Sequence, residues 1–354
     1  MSEPDLVSEL LWLIDTPSET GDEDLLCGLL AERFATRFDG TEVQRVGNAL
    51  VVGRDRGRPQ VTLYGHLDTV PEQGNRPGRR DGDRVIGLGA SDMKAGLAVM
   101  VALLEDDEVD AGPFDVVGVF YDREEGPAAE NGLEGVLDAV DRLADASLAV
   151  VMEPTDNELQ LGCQGSINAT VTFRGVSTHS SRPWLGDNAV TKAGTWLDEM
   201  HRRTPREVDV AGLLFKETFA VTTAEGGIAR NVIPSEFRLN LNHRFPPDRS
   251  VADAEAAVRA VAASADEVVV VDVAAPAPVS ADDPMVRRLI EVSGAEVTGK
   301  QAWTDVARLT ERGVVAVNYG PGETAQAHSA TESVAADNLG ISFRALRRFL
   351  TEKG

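Results

Sequence analysis

Asp115-Val116-Val117-Gly118-Val119-Phe120-Tyr121 is a near-continuous apolar run that stops at Asp122-Arg123-Glu124-Glu125-Gly126. A strand half-exposed to water alternates apolar and polar residues. A strand apolar on both faces has to be covered on both, as in a largely parallel sheet between helices. Working outward, Leu148-Ala149-Val150-Val151-Met152 repeats the pattern and ends on Glu153-Pro154, and Val61-Thr62-Leu63-Tyr64 runs into Gly65-His66. Segments with helical spacing lie among them: Leu6 to Ile14, Asp22 to Phe38, Met93 to Leu104 and Gly132 to Leu143. Val43 to Val52 reads as a further strand. Alternating strands and helices define an α/β domain. In such sheets ligands collect beyond the carboxyl ends of the strands, and His66, Glu124, Glu125 and Glu153 all stand there.

The pattern changes after Gly165. Ile167 to Phe173 alternates, Asn188 to His201 is helical, and Phe215 to Thr223 and Phe237 to His243 are strands. Val251 to Ala263 is a helix and Glu267 to Val273 a strand. The order βαββαβ describes a small α+β sandwich of one sheet and two helices. Ala274-Ala275-Pro276-Ala277-Pro278 reads as a linker back to α/β character in Pro284 to Val292, Asp305 to Arg312, Val314 to Tyr319 and Asn338 to Thr351. The chain is therefore divided into a catalytic domain, 1–164 with 279–354, and an inserted domain, 165–278.

Composition narrows the partners. With 34 basic and 58 acidic residues the chain carries a net charge of −24, which disfavours nucleic acid and anionic membrane surfaces. No apolar run reaches the ~18 residues of a membrane span, and Met1-Ser2-Glu3-Pro4-Asp5 lacks the basic and apolar regions of a signal peptide, so a cytoplasmic location is expected. Cys27 and Cys163 make no disulfide framework and read as core residues.

Five side chains at strand ends and loops are candidate metal ligands: His66, Asp92, Glu125, Glu153 and His328. Two imidazoles and three carboxylates suit two divalent ions sharing a bridging carboxylate. Asp68 lies two residues beyond His66, on the same side of an extended segment, where it would hydrogen-bond the distal imidazole nitrogen. Asp92, in Gly89-Ala90-Ser91-Asp92-Met93-Lys94, would by itself be a helix cap; with His66 nearby it reads as the bridge. Adjacent acids at the end of a buried strand desolvate and repel each other unless a metal or a proton relieves them. Their side chains diverge, so one can bind metal while the other handles a proton; Glu125 would be the ligand and Glu124 the general base. Each motif also has a bland reading, as a solvated turn, a strand end or a loop histidine. His243 and His201 read as structural and solvated residues, and spacing alone gives His179 no role.

On these motifs (GHLDTVP, GASDMKAG, REEG, MEPT, GPG and AHSATE) the chain resembles the M20 family of co-catalytic metallopeptidases and aminoacylases along essentially its whole length. The resemblance implies a zinc-hydrolase domain with a mixed central sheet, interrupted by a lid and dimerisation domain. It implies two Zn2+ per chain, with Co2+ or Mn2+ as substitutes: His66 and Glu153 on one ion, Glu125 and His328 on the other, Asp92 bridging, Glu124 as base and Asp68 supporting His66. Within the family the likeness is to the actinobacterial branch of succinyl-diaminopimelate desuccinylases, carried by Leu161 to Ser166, Trp184 to Ala189, Arg230 to Pro234 and Trp303 to Arg308. This implies hydrolysis of an N-succinyl amide and a homodimer in which His179 reaches the partner's active site. Gln164 and Met152 depart from the pattern, which bears on acyl specificity more than on the metal chemistry.

An anionic acyl group and a zwitterionic amine need cationic partners. Arg182, Arg230, Arg244 and Arg308 are the candidates, with Asn231 and Thr304 as neutral donors; for each arginine a surface ion pair is the alternative. The same ligand set would serve an N-acetylornithine deacetylase or an acylamino-acid carboxypeptidase. A non-catalytic metal-binding protein would have no use for Glu124 beside a ligand.

Overall fold

The computed structural model describes residues 4–352. The chain forms two compact units. The first runs up to Leu161 and adds Ser280–Thr298 and the chain from Arg308 onward; the second is Gly162–Val279 with Gly299–Ala307. The segment Gly299–Ala307, which carries Thr304, thus groups with the inserted part of the chain.

An eight-stranded sheet has the order Val43–Val46, Ala49–Val52, Asp115–Tyr121, Gln60–His66, Leu148–Val151, Ala316–Asn318, Leu159–Cys163, Val297–Lys300. The middle strands are parallel: Gln60–His66 pairs in parallel with both Asp115–Tyr121 and Leu148–Val151, and Ala316–Asn318 pairs in parallel with Leu148–Val151. These are the runs the sequence marks as apolar on both faces, and all but Gln60 and Val116 are buried along them. The outer pairs are antiparallel, so the sheet is mixed. Register sets the functional end. His66 lies opposite Tyr121 and Tyr64 opposite Val151, so His66, Glu124, Glu125 and Glu153 emerge at one edge of three adjacent strands. The helix Lys94–Glu105 is buried along nearly its whole length, as its uniformly apolar sequence requires.

The second unit is a five-stranded antiparallel sheet ordered Arg206–Val210, Leu213–Gly226, Glu236–Phe245, Gly165–Arg174, Glu267–Ala274. Its core joins Ile167, Val171, Phe173, Leu239, Leu241 and Phe245 to Trp196 and Val258 from the helices Gly194–Arg202 and Val251–Val261.

Local differences from the sequence reading have simple causes. Val43 to Val52 is a hairpin, because Gly47 adopts φ +60° and turns the chain between Val46 and Ala49. Arg206–Val210 is an extra strand paired with Leu213–Gly226; Ala211 and Gly212, at φ 54° and 84°, make its two-residue turn. Its charged composition hid it. The helix expected over Gly132 to Leu143 ends at Ala139 and gives way to a 3-10 segment, Asp141–Asp145. Among the described residues no helix is long and apolar enough to cross a membrane.

Candidate metal centre

His66 is the last residue of its strand and fully buried. Its Nε2 stands 3.2 Å from Asp92 Oδ1, and the other oxygen of Asp92 is 3.4 Å from His328 Nε2. His328 Nε2 is also 3.0 Å from the Glu125 carboxylate. Asp92 therefore faces one imidazole with each oxygen, the geometry a bridging carboxylate needs. Ligand atoms of His66, Asp92 and Glu125 all lie within 4.8 Å of one another. Glu153 follows the neighbouring strand and is 7% exposed. His328 is the open member, with its side chain 54% exposed. Its backbone is left-handed, φ 60°, a conformation that non-glycine residues adopt rarely and chiefly where the surroundings hold it.

The carboxylates favour positive charge at the site. Two carboxylates, Asp92 and Glu125, hold the His328 imidazole up at about 10, against the opposing effect of burial. Burial disfavours a charged His66, yet Asp68 and Asp92 outweigh it and keep its pKa well above the ordinary value. Burial would raise Asp92; the two imidazoles instead pull it below the usual carboxylate range. Hard oxygen and imidazole donors converging in this way fit divalent ions such as zinc.

Asp68 does more than support His66. The His66 Nδ1 partner is the backbone carbonyl of Asp68, at 3.0 Å, with the nearer carboxylate oxygen at 3.5 Å. The Asp68 carboxylate accepts the backbone N–H groups of Glu124 and Glu125, each at 3.0 Å, and the Thr20 hydroxyl at 3.0 Å. A turn after a buried strand leaves orphan N–H groups, and this aspartate satisfies two of them.

Sequence reasoning missed Glu332. It is 1% exposed, and its carboxylate accepts the N–H groups of Gly89, Ser91 and Asp92, each at 2.9 Å. Burial pushes its carboxyl up to about 7, with the three N–H groups opposing. The only signal was its position four residues past His328 in the same motif. The Gly320-Pro321-Gly322 loop also has a definite job. A Cβ on Gly322 would sit 2.1 Å from Ser91 O, and one on Gly320 would sit 2.4 Å from Glu153 O. Only glycine lets this loop lie on both the Ser91 and the Glu153 backbone.

The remaining candidates divide between the two units. Arg308 makes an ion pair: its guanidinium donates to Glu134 at 2.8 Å and to Ala128 O at 2.9 Å. His179, Arg182, Arg230, Asn231, Arg244 and Thr304 all belong to the second unit. His179 is exposed, and its Nδ1 accepts the Ser181 N–H at 3.1 Å, which leaves Nε2–H as the outward donor of the neutral ring. Arg182 and Arg230 are exposed on loops, and Asn231 O accepts the Ser180 N–H at 2.9 Å. Arg244 is partly buried, which lowers its pKa; its Nε donates to Asn242 Oδ1 at 3.2 Å. Thr304 is buried, with a hydroxyl that has no hydrogen-bond partner among the described residues. Cys27 and Cys163 are buried free thiols, and burial raises both, Cys27 to about 11.

Residues 62–352 match the family model described as Peptidase family M20/M25/M40. The chain belongs to this family. It is thus a hydrolase of the metallopeptidase and amidohydrolase type. A Mycobacterium tuberculosis protein provisionally named a succinyl-diaminopimelate desuccinylase is 38% identical over 340 residues, 96% of each chain. The succinyl-diaminopimelate desuccinylase of Corynebacterium glutamicum is 32% identical over 351 residues, 96% of this chain and 94% of that one. Among solved structures, a Staphylococcus aureus tripeptidase superposes with a TM-score of 0.79 at 20% identity, covering 98% of this chain and 97% of that one. At that identity the likeness speaks for the fold alone.

Proposed function

We propose that the chain hydrolyses an N-acyl amide, N-succinyl-LL-2,6-diaminopimelate, to succinate and LL-2,6-diaminopimelate. The observation that carries the hydrolytic part is Asp92 facing His66 and His328 with its two oxygens, with Glu124 next to Glu125 at the same strand end. The substrate assignment is supported by two actinobacterial relatives that match over nearly their whole length. His66, Asp92 and Glu153 would hold one divalent ion and Asp92, Glu125 and His328 a second, with zinc as the natural fit. Bound there, the pair would acidify a water and polarise the scissile carbonyl. Glu124 takes the proton from that water and returns it to the leaving amine. Asp68 fixes the turn from which Glu124 and Glu125 project. In a homodimer paired through the inserted unit, the Nε2–H of His179 from the partner donates to the developing oxyanion. Arg182, Arg230, Arg244 and Arg308, with Asn231 and Thr304, are the groups proposed to receive the substrate's carboxylates; Arg308 also pairs with Glu134.

The test is steady-state hydrolysis of N-succinyl-diaminopimelate beside N-acetylornithine, with and without chelator. The expected result is a kcat/KM at least about a hundredfold higher for the succinyl substrate, abolished by chelator and restored by zinc. Preference for N-acetylornithine would overturn the substrate assignment and leave the hydrolase standing.

A further inference from the structure

The loop that carries Asp92 is built around a side chain that is not its own. Glu332 Oε2 accepts the Gly89 N–H, and Oε1 accepts those of Ser91 and Asp92, all at 2.9 Å. The Glu332 carbonyl takes a fourth N–H, that of Gly87, at 3.0 Å. Beside it, Ser91 Oγ donates to Ser333 O at 2.9 Å and accepts the Glu323 N–H at 3.0 Å. Gly89 has φ +74°, so the loop is a tight turn whose N–H groups converge, the arrangement that binds anions. Here the anion is a carboxylate from the segment that also bears His328, four residues earlier.

Asp92 has to present both oxygens, one at 3.2 Å from His66 and one at 3.4 Å from His328. The direction of so short a side chain is set by its backbone. The Asp92 N–H is one of the three that Glu332 holds. A shift of this loop against the 328–333 segment would move Asp92 away from His328 and towards His66, or the reverse. We propose that Glu332 is a positioning residue that fixes Asp92 relative to His328, so that both metal positions form together. This rests on the metal-pair reading above and adds a residue, outside the ligand set, on which that pair depends.

The test is zinc binding by metal-free protein, followed by competition with a chromophoric chelator, in wild type and in Glu332→Gln. The amide keeps the size of the side chain but turns an NH2 group towards at least one backbone N–H. The expected result is zinc affinity weakened roughly ten- to hundredfold at both positions, the usual range for residues that orient metal ligands. Melting of the metal-free variant separates positioning from bulk stability. A lowered metal-free Tm with unchanged zinc affinity would overturn the proposal. Should Glu332→Gln not fold, Glu332→Asp decides: the charge remains but the reach is one methylene short. The expected result is then a smaller loss of affinity, and zinc binding equal to wild type would overturn the idea. A wild-type protein that takes up no zinc would instead remove the metal-pair reading itself.

Discussion

Asp68 accepts the backbone N–H of Glu124 at 3.0 Å, through the oxygen that also lies 3.5 Å from His66 Nδ1. One buried carboxylate thus ties His66 to the turn that bears Glu124 and Glu125. Asp68→Ala is expected to leave two backbone N–H groups unsatisfied and to let Glu124 and Glu125 drift together. Zinc affinity and kcat should both fall, each by about ten- to hundredfold. Asp68→Asn, which retains one good acceptor, should fall between. A variant that loses turnover while its zinc isotherm stays that of wild type would confine Asp68 to the chemistry and exclude the turn.

Glu124→Gln should preserve fold and zinc stoichiometry and lower kcat by at least about a hundredfold, the scale of a lost general base. Its neighbour provides the contrast. Glu125 approaches His328 Nε2 to 3.0 Å, so Glu125→Ala should cost zinc as well as turnover. Metal analysis beside kinetics distinguishes the two. If Glu124→Gln also loses metal, the roles of the adjacent acids are misassigned.

What the sequence disclosed follows from which physical signals are local. Uniform burial leaves its mark on Asp115–Tyr121 and Leu148–Val151, so the parallel core and the strand-end site were legible there. The hairpin at Gly47, the strand Arg206–Val210 and the small sheet of Arg79–Asp81, Arg84–Ile86 and Ser333–Ala335 were not, because short, charged or turn-broken strands carry no apolar periodicity. At the candidate site, His66, Asp92 and Glu125, which the structure brings together, are residue types that stood out in the sequence. Glu332 did not, since a carboxylate that serves backbone N–H groups looks like any other acid until the loop it fills is seen. The partner of Arg308 was hidden for the converse reason: Glu134 lies 174 residues away in sequence.

Acid should destabilise the metal-free protein through identifiable groups. Burial alone would raise Asp106, Asp110, Glu134 and Glu217, but guanidinium, imidazole or N–H partners outweigh it and hold all four below their ordinary values. Asp106, for example, faces Arg347 Nε at 2.7 Å and caps the helix that follows. A carboxylate with a depressed folded pKa contributes stability above its unfolded value, 3.8 for Asp and 4.5 for Glu, and loses it as pH falls through the lower folded value. The contribution of these four carboxylates to the Tm should therefore be constant from about pH 7 to 5 and fall steeply below about 4. Asp106→Asn should start lower and fall less over that acid interval. An equally steep fall in the variant would remove Asp106 from the acid response.

The inserted unit leads to a prediction about assembly. His179 is exposed, and its Nδ1 accepts the Ser181 N–H. If it serves the partner's site in a two-fold dimer, His179→Ala and Glu124→Ala are each nearly inactive for reasons that reside in different subunits of the same site. Mixing them and allowing subunits to exchange creates heterodimers. In each heterodimer one site joins an intact Glu124 to the partner's intact His179, while the other lacks both. With equal and random exchange, half of the dimers are mixed and half of their sites are complete, so about a quarter of wild-type activity should return. Exchange can be followed independently by tagging one variant and isolating the mixed species. Activity near a quarter in proportion to the heterodimer fraction supports action in trans. Heterodimers that form and remain inactive would place His179 outside the partner's site.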